Sequence, residues 1–384
     1  MRFAFRCDAS LQIGSGHVMR CLTLARALHE ADHTCHFICR DLPGHMARQI
    51  KDAGFTVSLL PAPDADFVPE ADSPPHANWA GVDWRLDASQ TQGAQKVHAE
   101  WLVLDHYAFD AKWQAAAVPP GTRLFVIDDL ADRPHVANVL LDQNLGRNIA
   151  DYDGLIPREC LRLIGPDFAL LRSEFSLWRE KSAKPAGHVF ALRNLLITMG
   201  GMDTQNCTPP LLRALGKLSL PDLRQVTVVM GAAAPGLDQT RQALLALQNT
   251  TVRLLVETKN MAELMSEADL AIGGAGGTAL ERCCLGLPTL IVVMAENQRR
   301  AAELMQDFGV AIALADVAGI DHAVDSTFDL ADSFEKLTPD RLEDMTQACL
   351  TVTDGKGTAR VVAALLREKK DSQDDRPTSP RNHR

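Results

Sequence analysis

Phe3-Ala4-Phe5-Arg6-Cys7 and, a few residues on, Gly14-Ser15-Gly16-His17-Val18-Met19-Arg20 decide the fold. The first stretch is an apolar run of strand length. The second is a glycine-rich turn that opens a helix, because Val18, Cys21, Leu22, Ala25 and Leu28 share one face at helical spacing while Arg20, Arg26 and Glu30 stay outside. A helix start carries unpaired backbone N–H groups and the positive end of the macrodipole, so it suits an anion such as a diphosphate. Glycines let that backbone come close, since no Cβ intervenes. His17 then sits within reach of any chemistry beside the anion. A plainer reading stands next to this one: strand–glycine–helix turns are common in α/β domains, and a first-turn histidine often only solvates the helix end. A dinucleotide fingerprint needs a glycine near position 19, where Met19 stands, and an acidic residue after the next strand, where Phe37 to Arg40 runs apolar to basic. NAD is not expected.

The chain's 384 residues are too many for one comfortable core and fit two domains. A hydrophobic content of 46% with 23% charged residues is that of an ordinary soluble globular protein. The net charge of −10 argues against nucleic acid or an anionic membrane as the main partner. A phosphate-bearing small molecule is still allowed, because local helix ends and arginines decide its binding. No apolar run approaches membrane-spanning length, and the chain enters a strand at once, so no signal peptide is expected. Nine cysteines, several inside apparent helices and strands, read as reduced thiols of a cytosolic protein. The group His29, His33, Cys35, His36 and Cys39 looks metal-like, but Cys35, Phe37 and Cys39 alternate on one face of a strand. No second ligand pair follows at finger-like spacing, and zinc is not expected.

Apolar runs predict strands over 2–7, 34–39, 56–60, 101–105, 124–127 and 139–142, with helices over 17–30, 44–53, 85–97 and 111–117. A second series begins near Asn194, with strands over 195–199, 225–230, 252–256, 270–272, 289–293 and 311–313. Its helices are expected over 206–217, 237–247, 261–267, 278–285, 298–308, 341–352 and 358–368. Such alternation means two parallel sheets covered by helices, an α/β fold of two doubly wound domains with a cleft between them. The expected division is 1–165, a linker segment 166–192 containing Lys181-Ser182-Ala183-Lys184-Pro185-Ala186-Gly187, then 193–368, and a polar, disordered tail 369–384. The stretch from Pro61 to Trp84 reads as a long surface loop, either a lid or a loose connection.

Ligands in open α/β sheets bind outside the strand C-termini, so the loops there carry the chemistry. They are Asp105-His106-Tyr107, Asp128-Asp129, Asp142-Gln143-Asn144, Gly200-Gly201-Met202-Asp203 and Gly273-Gly274-Ala275-Gly276-Gly277-Thr278. The last is a second anion-binding turn. Glu281 behind it has two readings: with Thr278 it forms a capping box, or it accepts hydrogen bonds from ribose hydroxyls. Asn297 and Gln298 bring amides to the same rim, or cap the next helix. Asp128 and Asp129 are open to a cation, a helix cap or the orientation of Arg133, with a structural or substrate-orienting role preferred over a metal.

Together these motifs resemble the two-domain nucleotide-sugar enzymes of the GT-B architecture and, within them, the UDP-sugar hydrolases of pseudaminic acid biosynthesis. The resemblance lies in Arg6 to Ser10, Ile13 to Cys21, Asp105 to Tyr107, Ile127 to Arg133, Leu141 to Asn144, Gly165-Pro166 with Ala169 to Arg172, and Gly200-Gly201 with Asp203. It continues through the second glycine loop, Glu281-Arg282 and Asn297-Gln298, and ends near residue 310. The first loop is specific to the hydrolases, whereas the second is shared with lipid-linked N-acetylglucosaminyltransferases. Phe168, Ser173 and Ala279-Leu280 depart from the pattern, the last near the nucleotide pocket.

The resemblance implies two Rossmann-like domains and hydrolysis of UDP-2,4-diacetamido-2,4,6-trideoxy-β-L-altropyranose to UDP and the free sugar, with no metal and no cofactor. It implies His17 as the general base that draws a proton from water attacking the anomeric carbon with inversion. The substrate-binding candidates are Gly14, Ser15, Gly16, Arg20, Tyr107, Asn144 and Gly200, then Gly276, Gly277, Thr278, Glu281, Asn297 and Gln298. Glu281 is implied to hold the ribose. Beyond the UDP-sugar and water, neither nucleic acid nor a membrane is an expected partner. A glycosyltransferase that uses the same cleft with a sugar or lipid acceptor is the competing reading.

Overall fold

The computed structural model describes residues 1–63, 66–95, 97–182, 191–201, 203, 205–232, 234–247, 250–319 and 327–374. Each half of the chain builds one parallel sheet. The first contains β1 (Arg2–Cys7), β2 (Thr34–Arg40), β3 (Thr56–Leu60), β4 (Trp101–Asp105), β5 (Arg123–Ile127), β6 (Val139–Asp142) and β7 (Leu161–Ile164), in the order β3-β2-β1-β4-β5-β6-β7. The second contains β8 (Asn194–Thr198), β9 (Gln225–Met230), β10 (Thr251–Val256), β11 (Leu270–Gly274), β12 (Thr289–Val293) and β13 (Ala311–Asp316), in the order β10-β9-β8-β11-β12-β13. Helices cover both faces, which is why β4 and β12 are buried along their whole length and read as apolar runs over Trp101 to Leu104 and Leu290 to Val293. This is the two-domain GT-B arrangement expected from the sequence.

Each sheet reverses its strand order once, at β1 beside β4 and at β8 beside β11. Crevices open outside the strand C-termini at such points. The register matters here: Cys7 lies opposite Asp105, so the turn after β1 and the loop after β4 leave the sheet side by side. Gly273 lies opposite Thr198 in the same way.

Three elements escape the sequence pattern. β7 pairs only with β6 and is half-exposed, so Leu161-Arg162-Leu163-Ile164 shows no clean apolar run. The expected linker holds a helix, Ser173–Lys181, whose Phe175 is buried in the second lobe and whose Arg179 donates to the carbonyls of Cys284, Leu350 and Thr353. A further helix covers Leu330–Glu335. Residues 183–190 of the linker and the tail after Asp374 lie outside the described residues.

The last helix, Gly357–Asp374, runs past residue 368 and returns to the first lobe, where Val361 and Leu365 join Leu163 and Leu170 in the core. Both crossings meet at one point. A Cβ on Gly357 would stand 2.4 Å from the backbone N and O of Ala169, so only glycine lets the two chains pass. Elsewhere Gly146 of the first lobe lies against Leu304 of the second. Among the described residues, no helix is long and apolar enough to cross a membrane.

Candidate active site

The turn after β1 is shaped by Ser10. Its hydroxyl accepts from the N–H groups of Gln12 (3.2 Å) and Ile13 (2.9 Å), and its carbonyl accepts from Gly14 N (2.8 Å). Gly14 has φ +79°, a conformation that a side chain disfavours. The helix Gly16–Glu30 follows, with Ser15 as N-cap and no side chain capping its first turn. Its leading amides are therefore left without a side-chain partner among the described residues.

His17 lies in that first turn. Its Nδ1 is 2.6 Å from Oδ1 of Asp105, and the same carboxylate accepts from Arg20 Nε (2.6 Å) and Nη2 (2.7 Å). Burial opposes charge on Asp105, but Arg20 and then His17 outweigh it and hold the carboxyl well below the usual carboxylate range. An ionised Asp105 accepts a hydrogen bond from a protonated Nδ1 and so leaves Nε2 as the free ring nitrogen. Nε2 has no hydrogen-bond partner among the described residues. The ring is largely enclosed, its side chain only 8% exposed. The Tyr107 ring stands edge-on to it at 4.6 Å between centroids, and Trp79 does so at 6.2 Å.

Asp129 forms the second node. It pairs with Arg20 Nη1 (2.7 Å) and accepts from the Tyr107 hydroxyl, and Asn144 Nδ2 reaches its side chain (3.3 Å) and carbonyl (3.2 Å). Burial and the Asp129 charge push the Tyr107 phenol well above its ordinary value, so it stays a donor. Thus Gly14, Ser15, Gly16, His17, Arg20, Tyr107 and Asn144 converge outside β1, β4, β5 and β6.

Asp128, by contrast, is spent within the fold. It accepts from the N–H of Ala131 (2.9 Å) and the hydroxyl of Tyr152 (2.9 Å), and it pairs with Arg133 (2.9 Å). That corresponds to the structural reading of the two aspartates. Tyr152 also reaches Asp142 (2.8 Å), whose carboxyl is pushed up to about 6 by burial and by Asp129. Among the described residues no group of three His, Cys, Asp or Glu is placed to hold a metal ion. His36, of the metal-like group near β2, bonds Thr56 and Ser58 instead.

The second lobe gathers the remaining candidates. Gly277, not Thr278, is the N-cap of the helix Thr278–Cys284, and no side chain caps it. The capping-box reading of Thr278 and Glu281 therefore fails, and the Glu281 carboxylate is left for another use. It is 16% exposed, its nearest cation is Arg172 at 3.7 Å, and burial pushes it up to about 7. Gln298 Oε1 accepts from Met294 N (3.2 Å), while its Nε2 lies 3.8 Å from where a Gly276 Cβ would be. Asn297 is exposed on the turn Glu296–Gln298, and Gly200 reverses the chain after β8 with φ +82°. No hydrogen bond among the described residues ties either to another candidate. Asp203, also in the resemblance, caps the helix Thr208–Leu215 through the amides of Cys207 and Thr208, both at 2.9 Å.

Four participants are not apparent from single motifs. The pairing of Asp105 with His17 becomes visible only once β4 is known to lie beside β1, and that of Asp129 with Arg20 only once β5 is known to lie beside β4. Arg172 approaches Glu281 through the chain crossing. Trp79 comes from the long loop, whose turn Ala77–Ala80 brings it onto Tyr107 in a stack at 5.4 Å, with His76 at 4.7 Å from Trp79. That loop is anchored by Asp72–Lys112 (2.7 Å) and Glu70–Arg85 (3.0 Å). Its proline-rich composition gave no sign of this contact.

A family described as the glycosyltransferase family 28 C-terminal domain matches residues 212–345. The chain is 24% identical over 303 residues to the UDP-2,4-diacetamido-2,4,6-trideoxy-beta-L-altropyranose hydrolase of Campylobacter jejuni, covering 79% of this chain and 95% of that one. It is 30% identical over 152 residues to the spore coat polysaccharide biosynthesis protein SpsG of Bacillus subtilis, covering 39% and 42% of the two chains. Among solved structures, MurG of Acinetobacter baumannii superposes with a TM-score of 0.66 at 18% identity, over 95% of this chain and 99% of that one. UDP-GlcNAc 2-epimerase of Neisseria meningitidis, bound to UDP-GlcNAc, superposes with a TM-score of 0.56 at 11% identity, over 95% and 99%. The two structural likenesses establish the GT-B fold.

Proposed function

We propose that this chain is a metal-independent hydrolase of a UDP-sugar, with His17 as general base and UDP held by the second lobe. The observation that carries the reading is the His17–Asp105 pair: an imidazole fixed at Nδ1, with Nε2 unpartnered among the described residues, in the first turn of a helix that no side chain caps there. In the reaction a water oxygen bonds to the anomeric carbon and its proton passes to Nε2. The carbon–oxygen bond to the diphosphate breaks with its electron pair, and the sugar leaves inverted. Asp105 stabilises the imidazolium that forms, and the proton then escapes to solvent. A positioned base of this kind contributes about two to four powers of ten.

The diphosphate takes the open amides of Ser15 and Gly16 on one side, beyond the Gly14 turn, and of Gly276, Gly277 and Thr278 on the other. Glu281 accepts from the ribose, Gly200, Asn297 and Gln298 line the same rim, and Arg20, Tyr107 and Asn144 face the sugar. Similarity across 95% of the Campylobacter enzyme supports UDP-2,4-diacetamido-2,4,6-trideoxy-β-L-altropyranose as the substrate. The glycosyltransferase reading is favoured by the family 28 match, but that match covers the nucleotide half alone. The near burial of His17 beneath Tyr107 and Trp79 fits water better than a bulky acceptor. The test is UDP release from a panel of UDP-sugars with no acceptor added. Turnover of the diacetamido sugar alone, lost in His17→Asn, supports the proposal; turnover only when an acceptor is supplied overturns it.

A further inference from the structure

Arg6, Arg40 and Arg282 all have side chains with no exposed surface. The first two share Asp87, and Arg6 also faces Asp8. Arg282 differs. Among the described residues no carboxylate lies within ion-pair distance of it, and the adjacent Glu281 is turned to Arg172 at 3.7 Å. Its Nη2 donates to the Gly274 carbonyl (2.5 Å), its Nη1 to the Thr278 hydroxyl (3.2 Å), and its Nε has no partner. Burial pulls its pKa below the ordinary arginine value, yet a guanidinium retains its proton at neutral pH.

A buried charge without a counter-ion is costly, so its retention calls for something that offsets it. Both acceptors of Arg282 belong to the second glycine loop. A Cβ on Gly273 would stand 2.9 Å from Nη1, which puts the guanidinium directly beneath that loop. Above it, a Cβ on Gly277 would meet nothing within 4 Å. The peptides are trans, so the Ala275 N–H points opposite to the Gly274 carbonyl that Arg282 holds.

Resting on the reading of this loop as the UDP site, we infer that Arg282 is the buried counter-charge of the diphosphate, a positioning residue that acts through the loop without touching the ligand. It holds the loop at two points, the Gly274 carbonyl and the Thr278 hydroxyl, and its charge is balanced only when the anion arrives.

The test compares UDP with uridine, which shares the base and ribose but carries no phosphate, by calorimetric titration of the wild type, Arg282→Met and Arg282→Lys. Arg282→Met is expected to bind UDP at least tenfold more weakly while uridine affinity moves less than twofold, and Arg282→Lys recovers most of the UDP affinity. Ligand-free Arg282→Met is expected to melt no lower than the wild type, because an unbalanced charge is gone. Equal losses for UDP and uridine, unchanged UDP affinity in Arg282→Met, or a variant too unstable to fold each overturn the inference. A wild type that binds neither ligand instead removes the UDP reading of the loop.

Discussion

Asp105→Asn is the sharpest perturbation of the proposed base. The carboxylate has no exposed surface and accepts from His17 Nδ1 at 2.6 Å and from Arg20 at 2.6 and 2.7 Å. An asparagine keeps the size but offers one carbonyl oxygen, which Arg20 competes for, and an NH₂ that drives the imidazole toward the opposite tautomer. Nε2 then carries the proton and cannot take one from water. In a comparable dyad on an unrelated fold the same exchange costs about four powers of ten in turnover. Here the expected loss in kcat is about three to four powers of ten, or about 4–5.5 kcal/mol of barrier. Arg20, 13% exposed, keeps only Asp129 as its ionic partner, and breaking one side of a buried pair costs about 3–5 kcal/mol of stability. Steady-state UDP release reads the first effect and urea unfolding the second, with UDP affinity unchanged as the control. An asparagine variant that turns over within tenfold of the wild type refutes the reasoning, since His17 would then need no carboxylate.

Three further outcomes are expected. Glu281 is held up to about 7, above the roughly 4.3 of an unfolded glutamate, so it binds its proton more tightly when folded, and ligand-free stability falls as pH rises between those values. Glu281→Gln should therefore raise the melting temperature more at about pH 8 than at about pH 4; the wild type should lose uridine affinity below about pH 7, and the variant should not. Trp79→Ala removes the indole stacked on Tyr107 and edge-on to His17, and it should raise KM for the UDP-sugar several-fold while leaving UDP affinity unchanged. Gly357→Ala pushes a Cβ to 2.4 Å from the Ala169 backbone and should lower thermal stability by about 1–3 kcal/mol or more, read by calorimetry.

The sheets were legible because strands buried on both faces must be largely apolar, as Trp101 to Leu104 and Leu290 to Val293 are. Leu161–Ile164 was not, because an edge strand may carry Arg162 outward. The helix Ser173–Lys181 was hidden because Phe175 is its one buried residue, too little for a periodic signal. At the site, the turn around His17 could be read directly, being local in sequence. Asp105 could not, since its role depends on an 88-residue separation closed only by the β1–β4 register. The Thr278–Glu281 spacing suggested a cap, but the helix begins with Gly277 as its N-cap and leaves the glutamate uncommitted. Local spacing cannot tell where a glycine-rich turn ends and its helix starts.

The central claim is that water activated at His17 attacks the sugar carbon. Turnover of the diacetamido UDP-sugar in water enriched in heavy oxygen, followed by mass spectrometry of both products, tests it most directly. The account predicts the heavy oxygen in the released sugar and none in UDP, with no turnover in a folded His17→Asn variant. Heavy oxygen in the phosphate of the released nucleotide contradicts it.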